Sequence, residues 1–319
     1  MLSVTPFVGR KIGVATVGKS LSTTIPHLSL FSLGFRTARP SIWHARRNLD
    51  LFIGVMIKKI FRKKIALLFT SSSPRKRSRW TRFLLEYCDG FVATNEVNAI
   101  AMSGPCHIIS HGVDTKVFRP RDSHLFSDTG HKLVGSFGRI RHAKGTADFV
   151  DALCIVLPQH PDWIGVIMGR AMPKHRGFLA ELKEKIKTAG LADRIEFHEE
   201  QETSKMPEAY SALSLYVCPS HYEGFGLTPI EAVSCGVPVI ATKGVGTFDD
   251  QIVEGETGFL FQPSNATELA AQMSVVMEDP ELLSSMSAAA RPHVQKNFSI
   301  EQEADELVSV YEKILLKCL

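Results

Sequence analysis

Several features that would sort this chain quickly are missing. Its six cysteines, Cys88, Cys106, Cys154, Cys218, Cys235 and Cys318, form no C-x-x-C pair and no zinc-type spacing. This argues against a disulfide framework and points to a reducing compartment. No apolar run approaches the roughly 20 residues that cross a bilayer. Residues 1–19 also lack the long apolar core and cleavage region of a signal peptide, so a cytoplasmic location is expected. The G-x-G-x-x-G pattern of a dinucleotide-binding dehydrogenase is absent; Gly135-Ser136-Phe137-Gly138 does not supply it. Acid is scarce at the front, where residues 1–82 hold 17 Lys and Arg but a single carboxylate, Asp50.

What is present fits an ordinary soluble globular protein of one large or two modest domains: 319 residues, 44% hydrophobic and 22% charged. The net charge of +4 conceals the basic front, concentrated in residues 58–64 and 75–82 and interleaved with Phe61 and Trp80. Either run alone reads as a solvated face. Together they suit a phosphate-rich partner. No nucleic-acid-binding module is discernible, so an anionic membrane surface or glycolipid is preferred over nucleic acid.

Short β-branched and apolar runs alternate with helical periodicity along the chain. Strands are expected over 11–17, 41–47, 65–69, 90–93, 107–110, 133–138, 163–168, 195–197, 213–218, 237–241 and 258–261. Helices are expected over 48–61, 78–88, 96–102, 146–157, 178–189, 206–213 and 227–235, with Gly190 closing the fifth of these. Ser299-Ile300-Glu301-Gln302 is a capping box that opens a final helix. Strands alternating with helices at this spacing argue for parallel sheets with crossover helices.

Two loops carry the chemistry. Glu223-Gly224-Phe225-Gly226-Leu227-Thr228-Pro229-Ile230-Glu231 lies between a buried strand and a helix with Pro229 in its first turn. One carboxylate then sits in the loop and the other about a turn inside the helix. The glycines leave backbone N–H groups facing an anion at the positive helix end. Hydroxyls and phosphates together, as in a nucleotide sugar, would satisfy both kinds of group. Upstream, Gly138-Arg139-Ile140-Arg141-His142-Ala143-Lys144-Gly145 follows another strand, at the end of an open α/β sheet where ligands bind. From that loop Arg139 can reach a diphosphate as a fork and Lys144 as a point charge.

The first loop resembles the E-x7-E signature of the family 4 retaining glycosyltransferases, and the second resembles their G-R-x-x-x-x-K-G. Residues 111–120, beginning His111-Gly112-Val113-Asp114, are similar to the N-G-V-D-x-x-x-F-x-P segment that closes the family's first domain. Trp43-His44-Ala45-Arg46-Arg47-Asn48 resembles the W-H-A-R-R-N of lipopolysaccharide core mannosyltransferases, and the likeness runs from about residue 12 onward. The resemblance implies an α/β GT-B fold: two facing doubly wound Rossmann-like domains across an interdomain cleft. The expected boundaries are 1–125 for a basic acceptor-side domain and 126–298 for the nucleotide-sugar domain. Residues 299–319 would be a helix packing back on the first domain. The polar stretch 121–132 reads as the linker.

The same resemblance implies roles for particular residues. Arg139 and Lys144 would hold the donor diphosphate, beside Gly138. Glu231 would accept from ribose hydroxyls and Glu223 would face the donor sugar. The groups of Gly224, Phe225, Gly226 and Leu227 would bind sugar hydroxyls and phosphate, and His44 would contact the transferred sugar. The base would be read around residues 198–201. No D-x-D occurs, which fits a transferase that needs no cofactor and no metal because the two cations take its place.

Some positions depart from the pattern. Asp250 stands where Glu is usual, Gly244-Val245-Gly246 varies a glycine pair, and the family's first strand and glycine-rich loop are not found before residue 12. The expectation is therefore a retaining enzyme moving mannose from GDP-mannose to a lipopolysaccharide core. Its partners would be the nucleotide sugar and an anionic glycolipid, with peripheral contact at the cytoplasmic face of the inner membrane through the basic first domain. A truncated nucleotide-sugar-binding remnant with little activity is the alternative, and a membrane scaffold acting through the basic runs is a third.

Overall fold

A computed structural model of the chain describes residues 4–17, 25–29, 40–73, 76–100, 102, 104–123, 125–126 and 130–318. They form two compact units, Met1–Asp114 with Phe298–Leu319, and Thr115–Asn297.

In the first unit, α1 (Thr5–Gly9) precedes a short parallel pair, β1 (Thr16–Val17) and β2 (His27–Leu28). Then come β3 (Ser41–Ala45), α2 (Asn48–Lys59), β4 (Ile65–Ser71), α3 (Arg79–Leu85), β5 (Gly90–Ala93), α4 (Glu96–Ile100) and β6 (Cys106–Ile108). The last four strands form a parallel sheet in sequence order. β4 is apolar from Ile65 to Phe69 because both its faces are covered, as parallel sheets require. Ala66 and Leu68 pack with α1 and with Ile300, Ala304, Leu307, Val310 and Ile314 of the terminal helix (Ile300–Cys318). Leu67 and Phe69 pack with Leu51 of α2 and Leu84 and Leu85 of α3. Ser299 and Gln302 exchange capping hydrogen bonds at the start of the terminal helix, at 3.2 and 3.3 Å. No helix among the described residues is long and apolar enough to cross a membrane.

The second unit comprises β7 (Lys132–Phe137), α5 (Thr146–Val156), β8 (Trp163–Met168), α6 (Arg176–Thr188), β9 (Ile195–His198), α7 (Met206–Ser211), β10 (Leu215–Cys218), α8 (Leu227–Ser234), β11 (Val239–Thr242), α9 (Phe248–Gln251), β12 (Gly258–Phe261), α10 (Ala266–Glu278) and α11 (Pro280–Asn297). Its six strands are all parallel, in the order β12-β11-β10-β7-β8-β9. Strand order reverses between the adjacent strands β7 and β10, so the loops that follow them open at the topological switch point. Gly190, with φ of +70°, ends the turn after α6, and Leu191 N–H donates back to Ile186 O at 3.0 Å.

Three expectations differ from what is seen. The run 11–17 contributes only Thr16 and Val17 to a strand. The unit boundary falls at Asp114–Thr115 and not at 125–126. The physical reason is that residues 115–119 are tied to the second unit. Arg291 donates to Thr115 O at 2.8 Å and Phe118 O at 3.0 Å, and Ser234 Oγ donates to Phe118 O at 2.6 Å. Phe126, inside the expected linker, is buried against the rings of Phe137 and His198. Finally, α1, β2, α9, α10 and α11 are elements the sequence reading did not anticipate. Arg75, in the second basic run, and residues 124 and 127–129 of the expected linker lie outside the described residues.

Candidate active site

Seven of the ten expected site residues occupy the two switch-point loops, and two more lie in the helix that follows the second loop. The loop after β7 holds Gly138, Arg139 and Lys144, and that after β10 holds Glu223, Gly224, Phe225 and Gly226. Leu227 and Glu231 lie in α8. His44 lies in β3 of the first unit.

The two loops are locked together. Gly145 has φ of +63°, and a Cβ built on it would lie 1.7 Å from Pro219 O. Only glycine lets the first loop seat directly on the backbone of the second. His221 N–H donates to Ala143 O at 3.1 Å, and His221 Nε2 meets the Asp148 carboxylate of α5 at 2.6 Å. As a result Lys144 Nζ donates to Glu223 Oε1, each side chain being 18% exposed. Ser220 Oγ donates to the same oxygen at 3.1 Å. A lysine and a carboxylate distant in sequence thus form one partly buried pair, where water screens them less than at an open surface. Arg139 is exposed, and its side chain has no hydrogen bond or ion pair among the described residues. It is therefore a cation of this rim available to an incoming anion.

Deeper in the same loop system, Tyr210 of α7 donates to Glu231 Oε2 at 2.8 Å. Burial raises the Glu231 pKa above the usual carboxylate range, and the Tyr210 bond partly opposes that rise. Oε1 of Glu231 carries no hydrogen bond among the described residues. Gly226, with φ of +90°, leads into α8, and Phe225 O accepts from Thr247 N–H at 3.0 Å and Thr247 Oγ1 at 3.1 Å. Gln251 Nε2 donates to Gly226 O at 2.9 Å, so α9 fixes this loop from behind. Gly224 and Phe225 each make further interactions within the chain, so their groups are not all open to a ligand as the sequence reading expected. At the end of β9, in the expected base-reading stretch, His198 Nε2 is bonded to Glu196 at 2.7 Å. Asp250 is exposed in α9, while its neighbour Asp249 accepts from Gly244 N–H at 2.7 Å.

A second polar recess lies at the carboxyl ends of the first unit's strands. It is lined by His44, Arg46, Thr70, Thr94, His111 and Glu303. Both ring nitrogens of His44 are engaged, Nδ1 with Tyr311 OH and Nε2 with Thr70 Oγ1, each at 2.6 Å. Burial, reinforced by the Arg46 charge, pushes the His44 pKa down to about 3, so the ring is neutral at physiological pH. Arg46 Nε is buried without a hydrogen-bond partner. Burial alone would raise the Glu303 pKa, but bonds from His111 and from Gly112 N–H, both at 2.9 Å, hold it below the usual range.

Tyr210, Ser220, His221, Tyr311 and Glu303 are functional candidates that sequence reasoning missed. Apart from Ser220, which bonds Glu223 three residues on, each acts through a partner far along the chain, and no local spacing marks such a pair.

Residues 117–293 match the family described as Glycosyl transferases group 1. Over 97% of its length the chain is 38% identical to the "Lipopolysaccharide core biosynthesis mannosyltransferase LpsB" of Rhizobium meliloti (strain 1021), covering 90% of that protein. The chain belongs to the group 1 glycosyltransferases. Another relative in the group, LpcC of Rhizobium leguminosarum bv. viciae, bears the same description and is 37% identical over 95% of this chain and 88% of its own. Among solved structures, Anabaena Alr3699/HepE in complex with UDP and glucose superposes with a TM-score of 0.82 at 18% identity, covering 98% of this chain and 95% of that one. The C-terminal domain of a glycosyl transferase group 1 family protein (LpcC) from Francisella tularensis is 35% identical. It covers 59% of this chain and 100% of that one, with a TM-score of 0.55. The two parallel-sheet α/β units are those of the GT-B fold expected from the sequence, and this group 1 chain is a glycosyltransferase.

Proposed function

We propose that this glycosyltransferase is a family 4 enzyme that transfers mannose from GDP-mannose to a lipopolysaccharide core, with retention at the anomeric carbon and without a metal ion. The observation that carries the reading is the Lys144–Glu223 pair at the switch point, with exposed Arg139 on the same loop. The names of the relatives along nearly the whole chain supply the sugar and the acceptor class.

In this reading the donor diphosphate docks on Arg139 and draws Lys144 from Glu223. Glu223 is then free to accept from the hydroxyls of the sugar. Glu231 accepts from the ribose through its open oxygen, while Tyr210 keeps the carboxylate ionised and aimed. As the glycosidic bond breaks, negative charge builds on the diphosphate. The two cations then bind the departing group more tightly than the ground state, which is what accelerates the step. The basic first unit suits a phosphorylated, lipid-linked acceptor and peripheral contact at the cytoplasmic face of the inner membrane. The reading of an inactive remnant is not favoured, since the likeness to mannosyltransferases extends over 97% of the chain.

Thermal unfolding with GDP, GDP-mannose, UDP and UDP-glucose in turn tests the donor. At 100 times its Kd a ligand stabilises the fold by about 2.7 kcal/mol. A shift with the GDP ligands alone, transfer that survives a chelator, and an axial product by NMR are expected. A shift with the UDP ligands alone overturns the donor.

A further inference from the structure

We propose that α2 and α3 form the membrane-docking face of the first unit, an aromatic ridge that enters the headgroup region of an anionic bilayer. The inner sides of these helices pack on Leu67 and Phe69 of β4. Their outer sides carry Leu49, Phe52, Trp80 and Phe83, exposed by 66, 37, 53 and 46%. The rings form a continuous line: Phe52 to Trp80 at 6.1 Å, Trp80 stacked on Phe83 at 5.8 Å, and Phe83 edge-on to Tyr87 at 5.4 Å. Lys59 closes the line over the Tyr87 ring at 5.1 Å. Just past α2, Ile60 and Phe61 are about 60% exposed as well. Soluble surfaces scatter such side chains singly, and a contiguous set marks an interaction face.

Charge selects the occupant. Arg47, Lys59, Arg62, Lys64, Arg79 and Arg82 are all exposed around the ridge. Of the acids on the same elements, Asp50 accepts from Arg47 N–H at 3.1 Å and Asp89 is paired with Lys58, which leaves Glu86. Two copies of so basic a face repel one another. A single-stranded nucleic acid would stack its bases on open ring faces, yet one face of Trp80 already lies against Phe83 at 28°. Aromatic and aliphatic side chains framed by Lys and Arg are what an anionic lipid interface accommodates, with rings at headgroup depth and cations on the phosphates. The inference deepens the glycolipid-acceptor reading above and rests on it.

The test uses the full chain with vesicles of phosphatidylcholine alone or with phosphatidylglycerol. Sedimentation should show partition to the phosphatidylglycerol vesicles only, weakening with salt. Trp163 is fully buried and Trp43 donates to Asp50 O, so a blue shift of emission on binding reports Trp80. Trp80→Phe should abolish the blue shift and keep most of the partition. Trp80→Ala with Phe83→Ala should lower partition by about tenfold or more, and Arg82→Glu by about fivefold or more. Donor turnover with a water-soluble core oligosaccharide should be unchanged in all three, which separates this proposal from the transferase reading. Unaltered partition in the double alanine variant would overturn it. So would a dimer, or an oligonucleotide complex, that this variant abolishes.

Discussion

Replacing Gly145 with alanine separates the geometry of the site from its charges. The residue lies in the left-handed region at +63°, where a Cβ costs about 1 kcal/mol or somewhat more. That Cβ would also stand 1.7 Å from Pro219 O, a backbone atom that cannot swing aside. Relief requires the two switch-point loops to part, and overpacking of this kind costs typically 1–3 kcal/mol. Together the two effects amount to about 3 kcal/mol, or roughly 6–12 °C in the unfolding midpoint for a unit of this size. Gly190→Ala is the matched control, since Gly190 has φ of +70° but no atom within 4 Å of its added Cβ. It should lose only about 2–4 °C. Activity should diverge further than stability. Parting the loops moves Lys144 from Glu223, and displacement of about 1 Å at a reacting centre costs about 100-fold. Gly145→Ala should therefore lose at least that factor in kcat/KM for the donor, while Gly190→Ala retains full activity. If Gly145→Ala matched the control in both midpoint and turnover, the loops would not be locked through this residue, and the account of the site would fail.

Other outcomes follow from the same geometry. Lys144→Ala should lower kcat by about 10²–10³ with the fold intact, as for loss of one group that stabilises developing charge; unchanged single-turnover rates would refute its role. Tyr210→Phe removes the bond that opposes the upward shift of Glu231. If ribose recognition needs the carboxylate, donor affinity falls as pH falls in the wild type, and in the variant that loss should begin at higher pH by titration calorimetry. The depressed His44 pKa means the unfolded chain binds a proton that the folded one refuses between pH 6.5 and about 3. That contribution to stability is complete above pH 6.5 and is lost as pH falls, so the unfolding midpoint should decline less steeply with acid in His44→Asn. Tyr311→Phe should slow turnover without altering the donor Kd, because the hydroxyl it removes bonds the His44 ring and no donor-loop residue among the described residues.

The strands were legible because parallel strands covered on both faces read as unbroken apolar runs, Trp163–Met168, Gly90–Ala93 and Leu215–Cys218 among them. The loops themselves were legible because charge, glycine and proline are concentrated in a few adjacent positions. The core face of α10, with Leu269, Ala270, Met273, Val276 and Met277, does carry helical spacing, but in a stretch without chemistry it drew no assignment. What lay beyond the sequence was tertiary: Glu231 meeting Tyr210, His221 meeting Asp148, and Glu303 reaching back to His111. The linker was misplaced for a similar reason. Polar composition suggested an exposed connection, whereas Phe126 and the carbonyls of Thr115 and Phe118 are held by side chains of the second unit.

The first unit is discontinuous in sequence, and this orders events at the ribosome. The core on one side of its sheet needs Ile300, Ala304, Leu307, Val310 and Ile314, all of which follow the second unit in sequence. The second unit, 115–297, has every residue it requires before those appear. Although domains generally fold from the N-terminus as they are made, here the later-synthesised unit is the first whose core residues are all present. The earlier one waits with Ala66, Leu68 and Val92 lacking the cover of the terminal helix. A nascent chain stalled short of residue 300 would carry a complete set of donor loops beside an open apolar sheet, and chaperone occupancy should concentrate on the half that was translated first.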